Sequence, residues 1–205
     1  MRQTVAGYVW YQDDNGTQRP ARGVLVSTDR AVCVTDANGR FRLPVAADDV
    51  FVKVTTPRGF RAAGPWYYPL DAAAGDGAVA FRLVPDPARD QEAFSFIQIT
   101  DLHVGFSGFG GQEPLELDLK AIFTSWNPRP AFVAVTGDLS DHGSVAELAA
   151  CRKALAQIPA PAFALPGNHD YFETGSAEAY RQVFGPTSYS FDCSEPSICC
   201  GAACR

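Results

Sequence analysis

The chain has 205 residues, of which 46% are hydrophobic and 20% are charged, so it can bury the core of one or two domains. Its 14 Phe, 7 Tyr and 3 Trp exclude a disordered chain. A run of about 18 apolar residues, which a transmembrane helix requires, does not occur in the sequence. The net charge of −6 argues against a general nucleic-acid or anionic-membrane binding surface.

Charge divides the chain into two parts. Residues 1–90 contain 11 Lys and Arg, 10 Asp and no Glu, whereas residues 91–205 contain 6 Lys and Arg against 13 acidic residues. Because Glu favours helices over strands, its absence predicts a β-rich first part. Pro85 and Pro87 interrupt both helix and central strand, which predicts a linker around them. The predicted segments are a β-rich domain, a linker, a second domain and a cysteine-rich tail, at 1–84, 85–93, 94–192 and 193–205.

Short β-rich runs alternate with turn sequences in the first domain. Asn-Gly pairs at 15–16 and 38–39 tolerate the positive φ that hairpin turns need. The spacing of the runs predicts a sandwich or barrel. The predicted strands are at 7–11, 23–27, 32–35, 41–45 and 50–55. The pattern from Gly7 to Pro44 resembles the transthyretin-like domain of the carboxypeptidase-regulatory type, which implies a β-sandwich.

Strand and helix patterns alternate in the second domain. Ser144 and Glu147 have the spacing of a capping box and predict the start of the middle helix. The predicted strands are at 94–100, 131–136 and 161–165, and the predicted helices are at 114–126, 144–157 and 177–184. A β-α-β-α-β-α order favours parallel pairing of the three strands.

Each predicted strand of the second domain is followed by polar residues of one chemical kind. Because the carboxyl ends of parallel strands share one edge of a sheet, side chains that are distant in sequence can converge there. Carboxylate oxygens and imidazole nitrogens suit Mn, Fe or Zn as ligands. Asp101 and His103 are two residues apart, so either a regular strand or the start of a loop would let both side chains converge. The candidate residues are Asp101, His103, Asp138, Asn168, His169 and Asp170.

Three motifs in this order carry a family resemblance. Asp-x-His at 101–103, Gly-Asp at 137–138 and Gly-Asn-His-Asp at 167–170 are similar to the motifs of the calcineurin-like metallophosphoesterases. The resemblance implies a mixed fold, α/β (α+β), in which the second domain is the first β-α-β-α-β-α half of an αββα sandwich. It also implies two-metal hydrolysis of a phosphomonoester or phosphodiester, with a small-molecule phosphate ester as substrate.

The resemblance assigns metal ligands to four residues of this sequence. Asp101 and His103 would hold the first of two divalent ions, which would be Mn, Fe or Zn. Asp138 would bridge the two ions, and Asn168 would bind the second.

Catalytic roles follow from the same resemblance. His169 would contact the substrate phosphate and assist protonation of the leaving group, and Asp170 would orient His169. His142, which follows Asp141 in a predicted turn, fits a hydrogen-bonded or exposed residue, and a metal ligand is the alternative.

The resemblance also implies ligands that this sequence does not contain. The family pattern continues with further histidines on a second sheet, whereas the chain has three histidines and none after position 169. We therefore expect impaired activity. Residues 193–205 contain four cysteines and no strand periodicity. A frameshift or premature end, a genuine truncated variant, and a disulfide knot or cysteine metal site are the three interpretations of this segment.

A second class of function is a non-enzymatic binding protein that joins a β-sandwich to a degenerate half phosphoesterase domain. The N-terminal residues contain no signal-peptide pattern, which predicts a cytoplasmic protein as written and an exported one if the true start lies upstream. We expect no membrane partner and no general nucleic-acid surface, and the sequence favours no particular oligomeric state.

Overall fold

The structure is a computed structural model, and it describes residues 3–13, 15–73, 79–108, 112–125, 130–193 and 198–201. The chain forms two compact units. The first combines Met1–Glu92 with Tyr189–Cys199, and the second comprises Ala93–Ser188 and Cys200–Arg205. In the described part of the chain, every helix is too short or too polar to form a transmembrane span.

The first unit is built mainly from short strands. Its strands are β1 Gln3–Gln12, β2 Gln18–Pro20, β3 Leu25–Ser27, β4 Val32–Val34, β5 Arg40–Val45, β6 Phe51–Val54, β7 Phe60–Ala62, β8 Tyr67–Pro69 and β9 Val79–Pro85, with a short helix α1 at Leu70–Ala73. One sheet has the order β2-β1-β9-β7, and β5 also pairs with β1. The other sheet has the order β4-β3-β6-β8.

The two sheets share one hydrophobic core. Val9 and Phe81 of the first sheet and Val26 and Val52 of the second are fully buried in the same cluster. Exposed and buried residues alternate along β5, as expected for a strand with one face on a core. These features define a β-sandwich and confirm the predicted fold class of this part.

One central strand was not predicted from the sequence. β9 runs in parallel beside β1 and antiparallel beside β7, so it lies inside the first sheet. It ends at Pro85, where the predicted linker begins, because proline has no N–H with which to continue the pairing. A single 3-10 turn follows at Pro87–Arg89.

A segment from the far end of the chain packs on the sandwich. Phe191 pairs with Thr56 in a parallel bridge, and the backbone N–H of Asp192 donates to the Thr56 carbonyl oxygen at 2.8 Å. The hydroxyls of Thr55 and Ser190 are hydrogen-bonded at 2.7 Å, and Phe191 is only 2% exposed. These contacts belong to the first compact unit.

The second unit has a three-stranded parallel sheet with helices on one face. Its elements are β10 Ile97–Ile99, α2 Gln112–Ser125, β11 Val133–Thr136, α3 Val145–Leu155, β12 Ala162–Leu165 and α4 Glu178–Phe184. The sheet order is β10-β11-β12 with parallel pairing throughout. Val133 and Val135 of β11 share a core with Leu119 of α2, Leu148 of α3 and Tyr180 of α4. The predicted order of strands and helices is confirmed.

Two reciprocal hydrogen bonds stabilise the start of α3, as the sequence pattern predicted. The Ser144 side chain accepts a hydrogen bond from the Glu147 N–H, and the Glu147 carboxylate accepts one from the Ser144 N–H. This reciprocal arrangement is the predicted capping box, and it satisfies two N–H groups that an isolated helix end leaves unpaired.

The cysteine-rich segment is described only in part. β13 Ser188–Phe191 pairs with β14 Ile198–Gly201, although the sequence of β14 has no strand pattern. β14 was not predicted because its sequence lacks the alternation of apolar and polar residues that signals a strand. Cys193 is a buried free thiol. The side chains of the other three terminal cysteines lie outside the described residues, so the interpretations of their pairing stay predictions.

Candidate metal centre

The register of the parallel sheet brings three strand ends to one level. Ile99 lies opposite Val135, and Thr136 lies opposite Leu165. The loops that follow β10, β11 and β12 therefore start side by side at the carboxyl edge of the sheet. They carry the three motifs that the sequence analysis identified.

Hydrogen bonds continue between these loops beyond the strands. The Asp101 N–H donates to the Gly137 carbonyl oxygen at 3.1 Å, and the His103 N–H donates to the Asp138 carbonyl oxygen at 3.0 Å. The third loop joins them because the His169 N–H donates to Asp138 Oδ1 at 3.0 Å. The backbone thus holds the side chains of all three motifs at one place.

Three of the predicted ligands have left-handed backbone conformations. Asp101, His103 and Asp138 have φ values of 55°, 43° and 52°, and among the described residues they are the non-glycine residues with positive φ. Such conformations cost of order 1–3 kcal/mol each and persist where the surrounding structure holds them. Backbone strain is therefore concentrated at this edge. The positive φ values also show that Asp101 and His103 converge from a loop and not from a regular strand. β10 ends before both residues, at Ile99.

Two glycines allow the second and third loops to touch. A Cβ atom on Gly167 would lie 2.9 Å from Cγ of Asp138 and closer still to its Oδ1 and backbone N. A Cβ atom on Gly137, whose φ is 107°, would lie 3.0 Å from Cα of Gly167. Glycine is needed at both positions for this close approach.

The donor atoms form a cluster with the chemistry of a cation site. His103, Asp138 and His169 each offer one ligand atom, and these atoms lie within 4.8 Å of one another. Asp101 Oδ1 lies 3.9 Å from His103 Nε2. Two ligand atoms that bind the same ion, each at a distance of about 2.1 Å, lie roughly 3–4 Å from each other. Imidazole nitrogen with carboxylate oxygen is the donor set that divalent transition metals prefer, so these residues fit such an ion.

Asp141, which was not among the candidate residues, contacts both imidazole rings. Its carboxylate Oδ1 lies 3.0 Å from Nδ1 of His103, and its carbonyl oxygen accepts a hydrogen bond from Nδ1 of His169 at 2.7 Å. A carbonyl oxygen can only accept a hydrogen bond, so Nδ1 of His169 carries the proton. Nε2 of His169 is therefore the nitrogen that is free to bind a ligand or to exchange a proton. The available signal was its position three residues after Asp138 in the same strand-end motif.

The Asp170 carboxylate accepts hydrogen bonds from two neighbouring loops. It is fully buried and accepts hydrogen bonds from Leu139 N, Ser140 N, Ser140 Oγ and Gly167 N at 3.2, 2.9, 2.7 and 2.8 Å. Among the described residues, His169 is not one of its donors. In the 3-10 turn that begins at His169, successive side chains point about 120° apart, so neighbours diverge. Asp170 instead ties the second loop to the third.

Asn168 and His142 are exposed residues in the loops that carry the cluster. Asn168 is exposed and immediately precedes the 3-10 turn, where its side chain makes no capping hydrogen bond. His142 is also exposed, and its Nδ1 lies 3.1 Å from Glu147 Oε1. This hydrogen bond raises the pKa of His142 above its ordinary value. His142 is therefore hydrogen-bonded and exposed, and its alternative role as a metal ligand stays a prediction.

The family model of the calcineurin-like phosphoesterases matches residues 94–198. The match spans half of the chain, and the chain therefore belongs to this family, as the three motifs predicted. The family consists of metal-dependent phosphoesterases, which are hydrolases that bind divalent metal ions and act on phosphate esters. No curated protein matches the chain. The β-sandwich lies outside the matched residues, and its resemblance to transthyretin-like domains stays a prediction.

Proposed function

We propose that the chain hydrolyses a phosphomonoester or phosphodiester of a small molecule at a centre of two divalent ions at the carboxyl edge of the β10-β11-β12 sheet. The observation that carries the proposal is the convergence of His103, Asp138 and His169 on backbone that is left-handed at two of them. A purely structural loop has no need for this strain, whereas a binding site uses it to fix its ligands before binding.

Four residues are proposed as the metal ligands. Asp101 and His103 would hold one ion, Asn168 would hold the second, and Asp138 would serve both. Mn, Fe or Zn fits this donor set. A bound divalent ion supplies Lewis-acid polarisation of the phosphoryl group and neutralises the charge that develops on it.

His169 is proposed as the residue that contacts the phosphate and donates a proton to the leaving group. Its Nδ1 proton is held by the Asp141 carbonyl oxygen, so the exchangeable position is Nε2. The same hydrogen bond fixes the plane of the ring, which keeps Nε2 aimed in one direction. Asp141 is a positioning residue in this scheme, and Asp170 supports the loop that carries His169.

The proposed domain boundaries stay those of the sequence, with a sandwich at 1–84, a linker at 85–93, a phosphoesterase part at 94–192 and a tail at 193–205. We expect weak hydrolysis by the 205 residues, because the resemblance implies further histidine ligands and the chain has none after position 169.

The test is metal binding first and turnover second. The chain is titrated with Mn²⁺ by calorimetry and then assayed with p-nitrophenyl phosphate and its bis ester. In Asp138→Asn the amide oxygen still accepts from the His169 N–H, so we expect an unchanged melting temperature without metal and a large loss of Mn²⁺ affinity. Asp118→Asn makes the same chemical change at an exposed position on α2 and is the matched control.

Two outcomes contradict the proposal. Failure to bind Mn²⁺, Fe²⁺ or Zn²⁺ favours the alternative function, a non-enzymatic binding protein. Equal Mn²⁺ affinity in the wild type and Asp138→Asn would show that the ion binds elsewhere.

A further inference from the structure

Two exposed phenylalanines lie beside the candidate metal centre. The side chain of Phe172 is 69% exposed and that of Phe106 is 39% exposed, which makes them two of the few large apolar residues that the described surface presents. Exposed apolar area is unfavourable by roughly 25 cal/mol per Å² relative to burial. Isolated exposed apolar residues are ordinary, so it is the position of these two that matters.

Each phenylalanine follows a histidine of the cluster by three residues and is fixed by the same hydrogen bond. The Phe106 N–H donates to the His103 carbonyl oxygen at 3.0 Å, and the Phe172 N–H donates to the His169 carbonyl oxygen at 3.1 Å. The backbone of each phenylalanine is therefore tied to the backbone of a cluster histidine three residues earlier. Two separate loops place an exposed aromatic residue in the same relation to the centre.

The rings form a continuous series that ends at the donor atoms. Phe172 stacks on His169 with centroids 5.6 Å apart and planes inclined by 21°. His169 in turn meets His103 edge to face, with centroids 4.5 Å apart. Phe172, which is 69% exposed, therefore stands next to a histidine of the cluster and leaves aromatic surface available to a flat group. Aromatic pairs favour centroid separations of about 4.5–7 Å.

We propose that Phe172, assisted by Phe106, is the specificity surface of this centre and binds a flat aromatic group carried by the phosphate ester. The inference rests on the proposed function, since it needs the phosphate to sit at the metal cluster. An aromatic surface of this kind favours phosphate esters of aromatic or heteroaromatic groups as substrates. It disfavours small alkyl esters, which have no π face to stack on a phenylalanine.

The test compares two phosphonates that cannot be hydrolysed. Phenylphosphonate and methylphosphonate carry the same anionic group, and their dissociation constants for the Mn²⁺-loaded chain are measured by calorimetry. We expect phenylphosphonate to bind about 3- to 10-fold more tightly, as one aromatic contact provides. The ratio should fall to near one in Phe172→Ala and be retained in Phe172→Tyr. Leu117→Ala removes a side chain that is 63% exposed on α2 and should leave the ratio unchanged.

The outcomes separate this inference from the proposed function. Mn²⁺ affinity is measured for each variant, so a displaced His169 is detected independently of the phosphonates. If both phosphonates bind the wild type equally, or if Phe172→Ala keeps the preference, the aromatic surface is refuted while the metal centre stands. If neither phosphonate binds the Mn²⁺-loaded chain, the proposed function fails, and the specificity surface is refuted with it.

Discussion

Substitution of Gly167 by alanine tests whether the contact between two loops shapes the metal centre. The new Cβ would lie 2.9 Å from Cγ of Asp138, with Oδ1 and the backbone N of Asp138 closer still. Carbon atoms in ordinary contact are about 3.5–4.0 Å apart, so the two loops must separate by roughly 0.6 Å or more. Rotation of the Asp138 side chain alone does not relieve the clash, because the backbone N is also in the way. The carboxylate must therefore move with its loop.

The displacement has two measurable consequences. Overpacking of this kind costs about 1–3 kcal/mol, and each kcal/mol lowers the melting temperature of a domain of about 100 residues by roughly 4–8 °C. Ligand distances in a metal site tolerate only about 0.2 Å, so we also expect Mn²⁺ affinity to fall about 10- to 100-fold. Differential scanning calorimetry without metal measures the first effect, and isothermal titration with Mn²⁺ measures the second.

Gly64→Ala is the control for this experiment. Gly64 is exposed and has no positive φ, and a Cβ atom added there would meet no other atom within 4 Å. Alanine there should leave Mn²⁺ affinity unchanged and alter stability by less than about 1 kcal/mol. The reasoning is refuted if Gly167→Ala binds Mn²⁺ as tightly as the wild type and melts at the same temperature.

Three further outcomes are expected. Burial raises the pKa of the Cys151 thiol to about 12, so iodoacetamide at pH 8 should label Cys151 only when the protein unfolds. Half-buried Cys33 should be labelled before Cys151, and early labelling of Cys151 would contradict its burial. The Glu147 carboxylate accepts a hydrogen bond from the His142 ring, which raises the pKa of His142. This pair therefore stabilises the fold below about pH 6.5 and loses its effect as pH rises through the folded pKa. An NMR titration should show the raised pKa returning towards about 6.5 in Glu147→Gln. Phe191→Ala should lower the free energy of unfolding by about 3–5 kcal/mol, because Phe191 is buried. Amide hydrogen exchange should become faster in β1 more than in β11, and a larger effect in β11 would assign Phe191 to the second unit.

The sequence by itself determined the parts of the centre that depend on local pattern. Alternating strand and helix periodicity predicted a parallel sheet, and parallel strands necessarily place their carboxyl ends at one edge. His103, Asp138 and His169 follow three such strands, so their proximity was predictable although they are far apart in the chain. The capping box at Ser144 was equally readable, because its two hydrogen bonds join residues only three positions apart.

Only the tertiary structure decided how these residues are held. Asp170 binds the backbone of a neighbouring loop, and Asp141 contacts both histidines because the loops that carry them start beside its own at the sheet edge. The return of the chain to the sandwich at Phe191 depends on a bridge to Thr56, 135 residues earlier. Such contacts join groups whose separation in sequence carries no periodic signal, so packing of the whole chain determines them.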